Sequence, residues 1–299
     1  MNSVRFNRAI ALAMAVLFTT TLSEAQLIRS AAGVNAAAIQ GSVDTFRNDL
    51  GTLNPNVAGS FGSGRREINW DGVPDALSAP NNLPANFFNV NSPRGAVFST
   101  PGTGFQVSAT AASGTPVNFG NIDPSYTTTF TTFSPQRLFT AIGSNIVDVN
   151  FFVPGTTTPA LTRGFGAVFS DVDLANTTSL EFFNALGASL GVFFAPNVAG
   201  ASQTLSFVGV SFATAVVARV RITNGNFALG AGILDNNSTR DLVVTDDFIY
   251  GEPTALAAVP EQGPGMAWWL AIGGVLLAAG LRRRNRAYYL ASLPQIFSR

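Results

Sequence analysis

The stretch 216-VVARVRIT-223 alternates in character. Val216, Ala218, Val220 and Ile222 fall on one side of an extended chain, with Val217, Arg219, Arg221 and Thr223 on the other. Successive side chains of a strand point to opposite faces, so this pattern predicts a strand with one face in a core and one in water. Further apolar or alternating runs surround it: NIVDVNFFV (145–153), GFGAVFSDV (164–172), TSLEFFNA (178–185), SLGVFFA (189–195), TLSFVGVSF (204–212) and LVVTDDFIY (242–250). Gly, Pro and Asn stand between them, as turns require. Leu180–Asn184 and Ser189–Phe194 flank the short ALGA connection and predict a hairpin. Serial short strands without intervening helices predict a mainly β fold, an antiparallel jelly-roll-like β-sandwich. The 25 phenylalanines are expected to fill the space between its sheets.

One segment has a different period. In 35-NAAAIQGSVDTFRNDLG-51, Ile39, Val43, Phe46 and Leu50 recur at helical spacing. Asn35 can cap the start and Gly51 can end the helix in a left-handed turn. This predicts one N-terminal helix near 35–50, packed against a sheet. The residues before it read as a short leader.

Composition excludes several chemistries. The chain has 299 residues, no histidine and no cysteine, and all 17 of its basic residues are arginine. Ser-His-Asp and Cys-His catalysis, histidine or thiolate metal sites, disulfides, Schiff bases and phosphate-loop lysines are therefore absent. The ends carry much of the positive charge. Residues 26–259 keep 10 of the 17 arginines and 15 of the 17 acids, a net −5. An acidic body does not attract nucleic acid.

The two ends read as targeting segments. Arg5 and Arg8 precede the apolar run AIALAMAVLF (9–18), and Ser23-Glu24-Ala25 offers small residues to a signal peptidase. Residues 1–25 are thus expected to be a signal peptide that leaves Gln26 first. At the other end, residues 254–265 read as a linker, and 266–281 are uncharged and apolar apart from glycine. As a helix that segment spans about 24 Å at 1.5 Å per residue, and about 28 Å counted from Gly263, near the hydrocarbon thickness of roughly 30 Å. Arg282, Arg283 and Arg284 follow at once, as expected of the inner-membrane side. The expected topology puts residues 26–253 outside and the tail 282–299 inside.

The order of Val259-Pro260-Glu261-Gln262-Gly263, an apolar helix and an arginine cluster resembles the PEP-CTERM sorting signals of Gram-negative bacteria. The motif stands in a Val-Pro-Glu-x-Gly form, and the tail AYYLASLPQIFSR after Arg286 is longer than such signals usually carry. The resemblance implies processing near Val259, Pro260, Glu261 and Gly263 by an exosortase-like enzyme. The strand grammar of residues 163–253 resembles extracellular β-sandwich domains found in that family. The family setting implies a non-enzymatic cell-surface or matrix role, structural or adhesive, with exopolysaccharide as the partner class, while the strand grammar, shared with carbohydrate-binding sandwiches, assigns no ligand.

Three groups of polar residues are candidate sites. Asp171 and Asp173 lie in SDVD (170–173), and Asp246 and Asp247 in TDDFIY (245–250). Adjacent carboxylates repel, and a structural Ca²⁺ between them would remove that cost; the alternative is solvated carboxylates at strand ends. Resemblance to related sandwiches favours Asp246 or Asp247 as the calcium ligand. In GSGRREINWDGVPD (62–75), Trp70 beside Asn69 and Asp71 could stack on a glycan ring, or the same residues could form a buried turn stitched by Arg–Asp pairs. Glu67 with Asp71 or Asp75 is the acid pair that a polysaccharide hydrolase would need. That enzyme, and a permanently anchored periplasmic binding protein, are the alternatives to the surface role.

Overall fold

The computed structural model describes residues 26–256. The expected signal peptide, the motif at Val259, Pro260, Glu261 and Gly263, the apolar segment 266–281 and Arg282, Arg283 and Arg284 lie outside the described residues. Among the described residues no helix is long and apolar enough to cross a membrane.

The strands, in chain order, are β1 (Gln26–Gly33), β2 (Arg65–Ile68), β3 (Ala96–Ser99), β4 (Gly104–Val107), β5 (Phe139–Ile142), β6 (Ile146–Phe151), β7 (Ala160–Leu161), β8 (Gly164–Ser170), β9 (Ser179–Phe183), β10 (Ser189–Phe194), β11 (Leu205–Phe212), β12 (Arg219–Thr223), β13 (Val244–Gly251) and β14 (Thr254–Ala255). The helix α1 runs over Ala36–Leu50, and Phe87–Val90 and Tyr126–Thr129 form single helical turns. One sheet has the order β1-β11-β8-β13-β5-β4, with β2 also pairing β13. The second has the order β10-β9-β12-β6-β3, and β14 and β7 pair separately. The pairings within these sheets are antiparallel.

The two large sheets share one core. Phe165, Ala167 and Phe169 of β8, Val208, Val210 and Phe212 of β11, and Phe248 and Tyr250 of β13 meet Val147 and Val149 of β6, Leu180 and Phe182 of β9, and Val220 and Ile222 of β12. The body is therefore a mainly β, two-layered antiparallel fold. Each large apolar side chain buried there stabilises it by roughly 1.5–3 kcal/mol. The predicted alternation of β12 is realised: Val220 and Ile222 are buried, while Arg219, Arg221 and Thr223 are half-buried. Arg221 sits opposite Asp148 and meets it with two hydrogen bonds, at 3.0 and 2.9 Å. Val216 and Ala218, expected on the core face, are only half-buried, and Val217 departs from the expected outer face. It is buried, because the strand begins only at Arg219 and Val217 bridges Thr162 instead.

The predicted helix forms where expected. The Asn35 side chain accepts from the Ala38 N–H at 3.1 Å, and Gly51, at φ 96°, donates back to Arg47 O and Asn48 O. Ile39, Val43, Phe46 and Leu50 pack on Val168, Leu205, Phe207 and Ile249. The helix thus covers the outer face of β8, β11 and β13. This explains why those strands read as apolar runs rather than alternations: every residue of each is buried. Phe46 and Phe207 belong to this second core, and Phe119 and Phe130 to a third, so the phenylalanines do not all lie between the sheets. Residues 26–33, expected as a leader, form an edge strand paired with β11 throughout.

Gly166 and Gly209 face each other across β8 and β11 and form the slot for the Phe46 ring. A methyl group on Gly209 would lie 2.8 Å from Phe207 and 2.9 Å from Phe46, and one on Gly166 would lie 2.8 Å from Phe46. Gly209→Ala is therefore expected to lift the helix and cost about 1–3 kcal/mol, read as a lower urea midpoint of the full-length chain by circular dichroism. Gly41, which has open space around it, is the control: Gly41→Ala should leave the midpoint equal or higher.

Candidate functional site

Where β8 ends, the chain turns sharply. Asp171 has φ 73° and its N–H donates to Thr204 O at 2.9 Å. This places Asp171 and Asp173 beside the loop that returns to β13, residues 234–241. That loop is wound by its own side chains. Asn236 Oδ1 accepts from the N–H groups of Ser238, Thr239 and Arg240 at 3.2, 2.9 and 2.8 Å. Asp235 accepts from Asn237 N–H at 2.9 Å and Leu242 N–H at 2.6 Å. Asp241 joins the two segments, accepting from Asp173 N–H at 3.0 Å, Leu174 N–H at 3.4 Å and the Thr177 hydroxyl.

The result is a cluster of carboxyl groups, two of them buried. Carboxylate oxygens of Asp171, Asp173 and Asp235 lie within 4.8 Å of one another. Asp171 is fully buried and neither of its carboxylate oxygens has a hydrogen-bond partner; Asp173 Oδ1 is in the same state. Burial pushes the Asp171 carboxyl up to about 9, with the charges of Asp173, Asp235 and Asp241 adding to it. The backbone N–H of Gln203, which donates to Thr129 O at 2.9 Å, acts in the opposite direction. Burial likewise raises Asp173 to about 7, with Asp235 and Asp241 as the next causes. The Asn237 amide faces the same point. With its oxygen turned inward it lies 3.2 Å from Asp173 Oδ2 and 2.9 Å from Asp235 Oδ1 while its NH₂ faces only donors; turned over, the NH₂ donates to both carboxylates and the oxygen meets those donors. These are oxygen ligands of the kind a hard cation takes.

Asp246 and Asp247 do not join this cluster. Val244 pairs with Ser170 in antiparallel register, so the chain beyond Val244 leads away from Asp171. The two aspartates occupy a bulge between Thr245 and Phe248. Asp246 accepts from the N–H groups of Phe133 and Ser134 at 2.6 and 3.2 Å, and the Ser134 hydroxyl donates to Asp247 at 2.6 Å. Asp247 also faces Arg47 at 3.4 Å. Burial, then the neighbouring Asp247 charge, holds Asp246 well above the usual carboxylate range. The oxygens of this pair anchor the 133–134 segment and face the helix, and the group of carboxylates among the described residues that converges as a metal site would is Asp171, Asp173 and Asp235.

Trp70 also has a different place from the glycan platform. It is 1% exposed, stacked on Phe139 with ring centroids 4.1 Å apart, and edge-on to Phe88 and Phe248. Its indole N–H donates to Asp246 O at 2.7 Å. A sugar cannot reach its face, so the buried-turn reading of this stretch is the one realised. Asn69 is exposed and donates to Asp71 at 3.1 Å, and Asp71 accepts from Gln136 N–H at 2.7 Å. Glu67 pairs with Arg47 and Arg65 at 3.0 and 2.6 Å, and Asp75 pairs with Arg137 at 2.5 Å. The candidate hydrolase acids are thus each held by a different set of partners. Asn69 lines a polar cleft of about 300 Å³ with Arg47, Asn54, Glu67 and Arg94.

Asp235 and Asn237 are the site residues that strand-based reading passed over. A signal for them exists in 235-DNNSTRD-241, where every position except Arg240 carries a side-chain oxygen. For the Trp70 turn, Trp70→Ala is expected to cost about 3–5 kcal/mol, while Asn69→Ala, at the surface, stays within about 0.5 kcal/mol; urea unfolding of the two full-length variants measures both. Comparison with protein-family models, with curated proteins and with solved structures gives no match for this chain.

Proposed function

We propose that this chain is an exported, non-catalytic β-sandwich protein of the cell surface or extracellular matrix, with a structural or adhesive role. One observation carries the reading. The described residues form a two-layered antiparallel β body, the kind of fold that the sequence resemblance implies for such a surface protein. In this proposal signal peptidase cleaves after Ala25. The apolar segment 266–281, stopped by Arg282, Arg283 and Arg284, then holds the precursor in the inner membrane. An exosortase-like enzyme next acts near Val259–Gly263, in the manner of PEP-CTERM signals.

The finer jelly-roll-like description is part of the same proposal. It is supported by the way the chain passes from one large sheet to the other: β3 in one, β4 and β5 in the other, β6 back, β8 across, β9 and β10 back, then β11, β12 and β13 alternating. Exopolysaccharide is the proposed partner class. What supports it is the polar cleft at Asn69, whose arginine, asparagine and glutamate side chains offer donors and acceptors to hydroxyl groups.

Mass spectrometry of the protein recovered from the outer surface or medium tests the traffic. The expected mature chain starts at Gln26 and ends near Val259–Gly263. A surface-recovered chain that still carries Arg299 would show that the C-terminal segment is not a sorting signal.

A further inference from the structure

We infer that Asp171, Asp173, Asp235 and Asn237 form a Ca²⁺ site that clamps the 234–241 loop to the end of β8. Geometry comes first. Calcium takes oxygens at roughly 2.3–2.6 Å, so two ligands on opposite sides of one ion stand about 5.2 Å apart at most. The three carboxylates each offer an oxygen inside that limit. The second observation is independent of the clustering. The Asp171 carboxylate is wholly buried, aimed at the other two, and meets no donor from the protein on either oxygen. An ionised group in that position needs a counter-charge or loses its charge. No arginine pairs with Asp171, Asp173 or Asp235 among the described ion pairs. A cation supplies the counter-charge and also selects one orientation of the Asn237 amide, the one with its oxygen inward.

The donor set selects the ion. Every offered atom is oxygen, and the chain has no histidine or cysteine to make a nitrogen or sulfur site. Such oxygens suit calcium or magnesium rather than zinc. Magnesium demands near-octahedral geometry and gives up its waters reluctantly, whereas two of these three carboxylates, Asp171 and Asp173, are buried. The consequence is mechanical. In a chain with no cysteine, and so no disulfide, one ion cross-links the β8 end to the loop that feeds β13. It acts beside Asp241, which makes the same connection through hydrogen bonds alone.

The test is thermal unfolding of the full-length chain in detergent, followed by circular dichroism, with 1 mM CaCl₂, 1 mM MgCl₂ or excess EDTA. Calcium is expected to raise Tm by about 5 °C or more over EDTA, the size expected for an ion held well above its dissociation constant in a domain of this length. Magnesium is expected to give less than half that rise. Equilibrium dialysis with radioactive calcium should find one ion per chain. Asn237→Ala removes one neutral oxygen and should leave the fold intact while weakening calcium binding about tenfold. Asp235→Asn should reduce the calcium-dependent rise to under a third, and Asp44→Asn, at an exposed site on the helix, should keep it whole. Equal melting temperatures in calcium and EDTA with no ion bound would overturn the inference. So would calcium binding that both Asn237→Ala and Asp235→Asn leave unchanged, since the ion would then sit elsewhere. None of these outcomes depends on how the protein is sorted.

Discussion

Three neighbouring strands, β11, β8 and β13, are buried on both faces, and the rest of the body depends on that double burial. Their inner side chains meet the second sheet and their outer ones meet α1. Backbone pairing satisfies the peptide groups that this burial takes from water. The helix can lie close because Gly166 and Gly209 give the sheet a gap just where Phe46 descends. A gap on one strand alone would not seat an aromatic ring, and the register of β8 on β11 puts the two glycines opposite each other. Local sequence, pairing register and helix docking are thus one constraint stated three ways.

The same burial forces the polar groups at the sheet ends to find partners. Arg66 and Glu252 are both withdrawn from solvent. They meet through two hydrogen bonds of 2.6 and 2.9 Å, and Pro93 O and Gly59 O take further guanidinium hydrogens. Losing one member of such a pair would strand the other, a far larger cost than the pair's net worth. Asp246 and Asp247 are treated in a similar way, with backbone amides, Ser134 and Arg47 around them. Asp148 lies between Arg219 and Arg221. Against this pattern Asp171 stands apart, equally buried and with no donor on either oxygen. That contrast within one molecule, rather than the mere presence of acids, gives the Asp171–Asp173–Asp235 cluster its chemical meaning.

Much of the framework was legible in the chain. The helix and its caps could be read from Asn35, Gly51 and the spacing of Ile39, Val43, Phe46 and Leu50, because a helix is closed by contacts within a few residues. The strands β6 and β8 to β13 could be read from alternation or apolar runs bounded by turn residues. The edge strand β1 could not. Leu27 and Ile28 are about half exposed, so QLIRSAAG shows neither alternation nor a core run. The short strand β2 was hidden for a similar reason, since its Arg65, Arg66 and Glu67 look like surface residues and Arg66 is in fact buried against Glu252.

The sites divide along the same line. Residue chemistry alone determined what the protein cannot use: no imidazole, thiol or amine side chain is there to act. It also determined that the chain alternates in the manner of paired strands and carries one amphipathic helix. Which acids share a space, and whether Trp70 faces water or Phe139, was decided only when the sheets closed. The reason is that a ligand set or a stacking partner is a relation between segments far apart in sequence, fixed by register across β8 and β13, and no local pattern within either segment encodes that register.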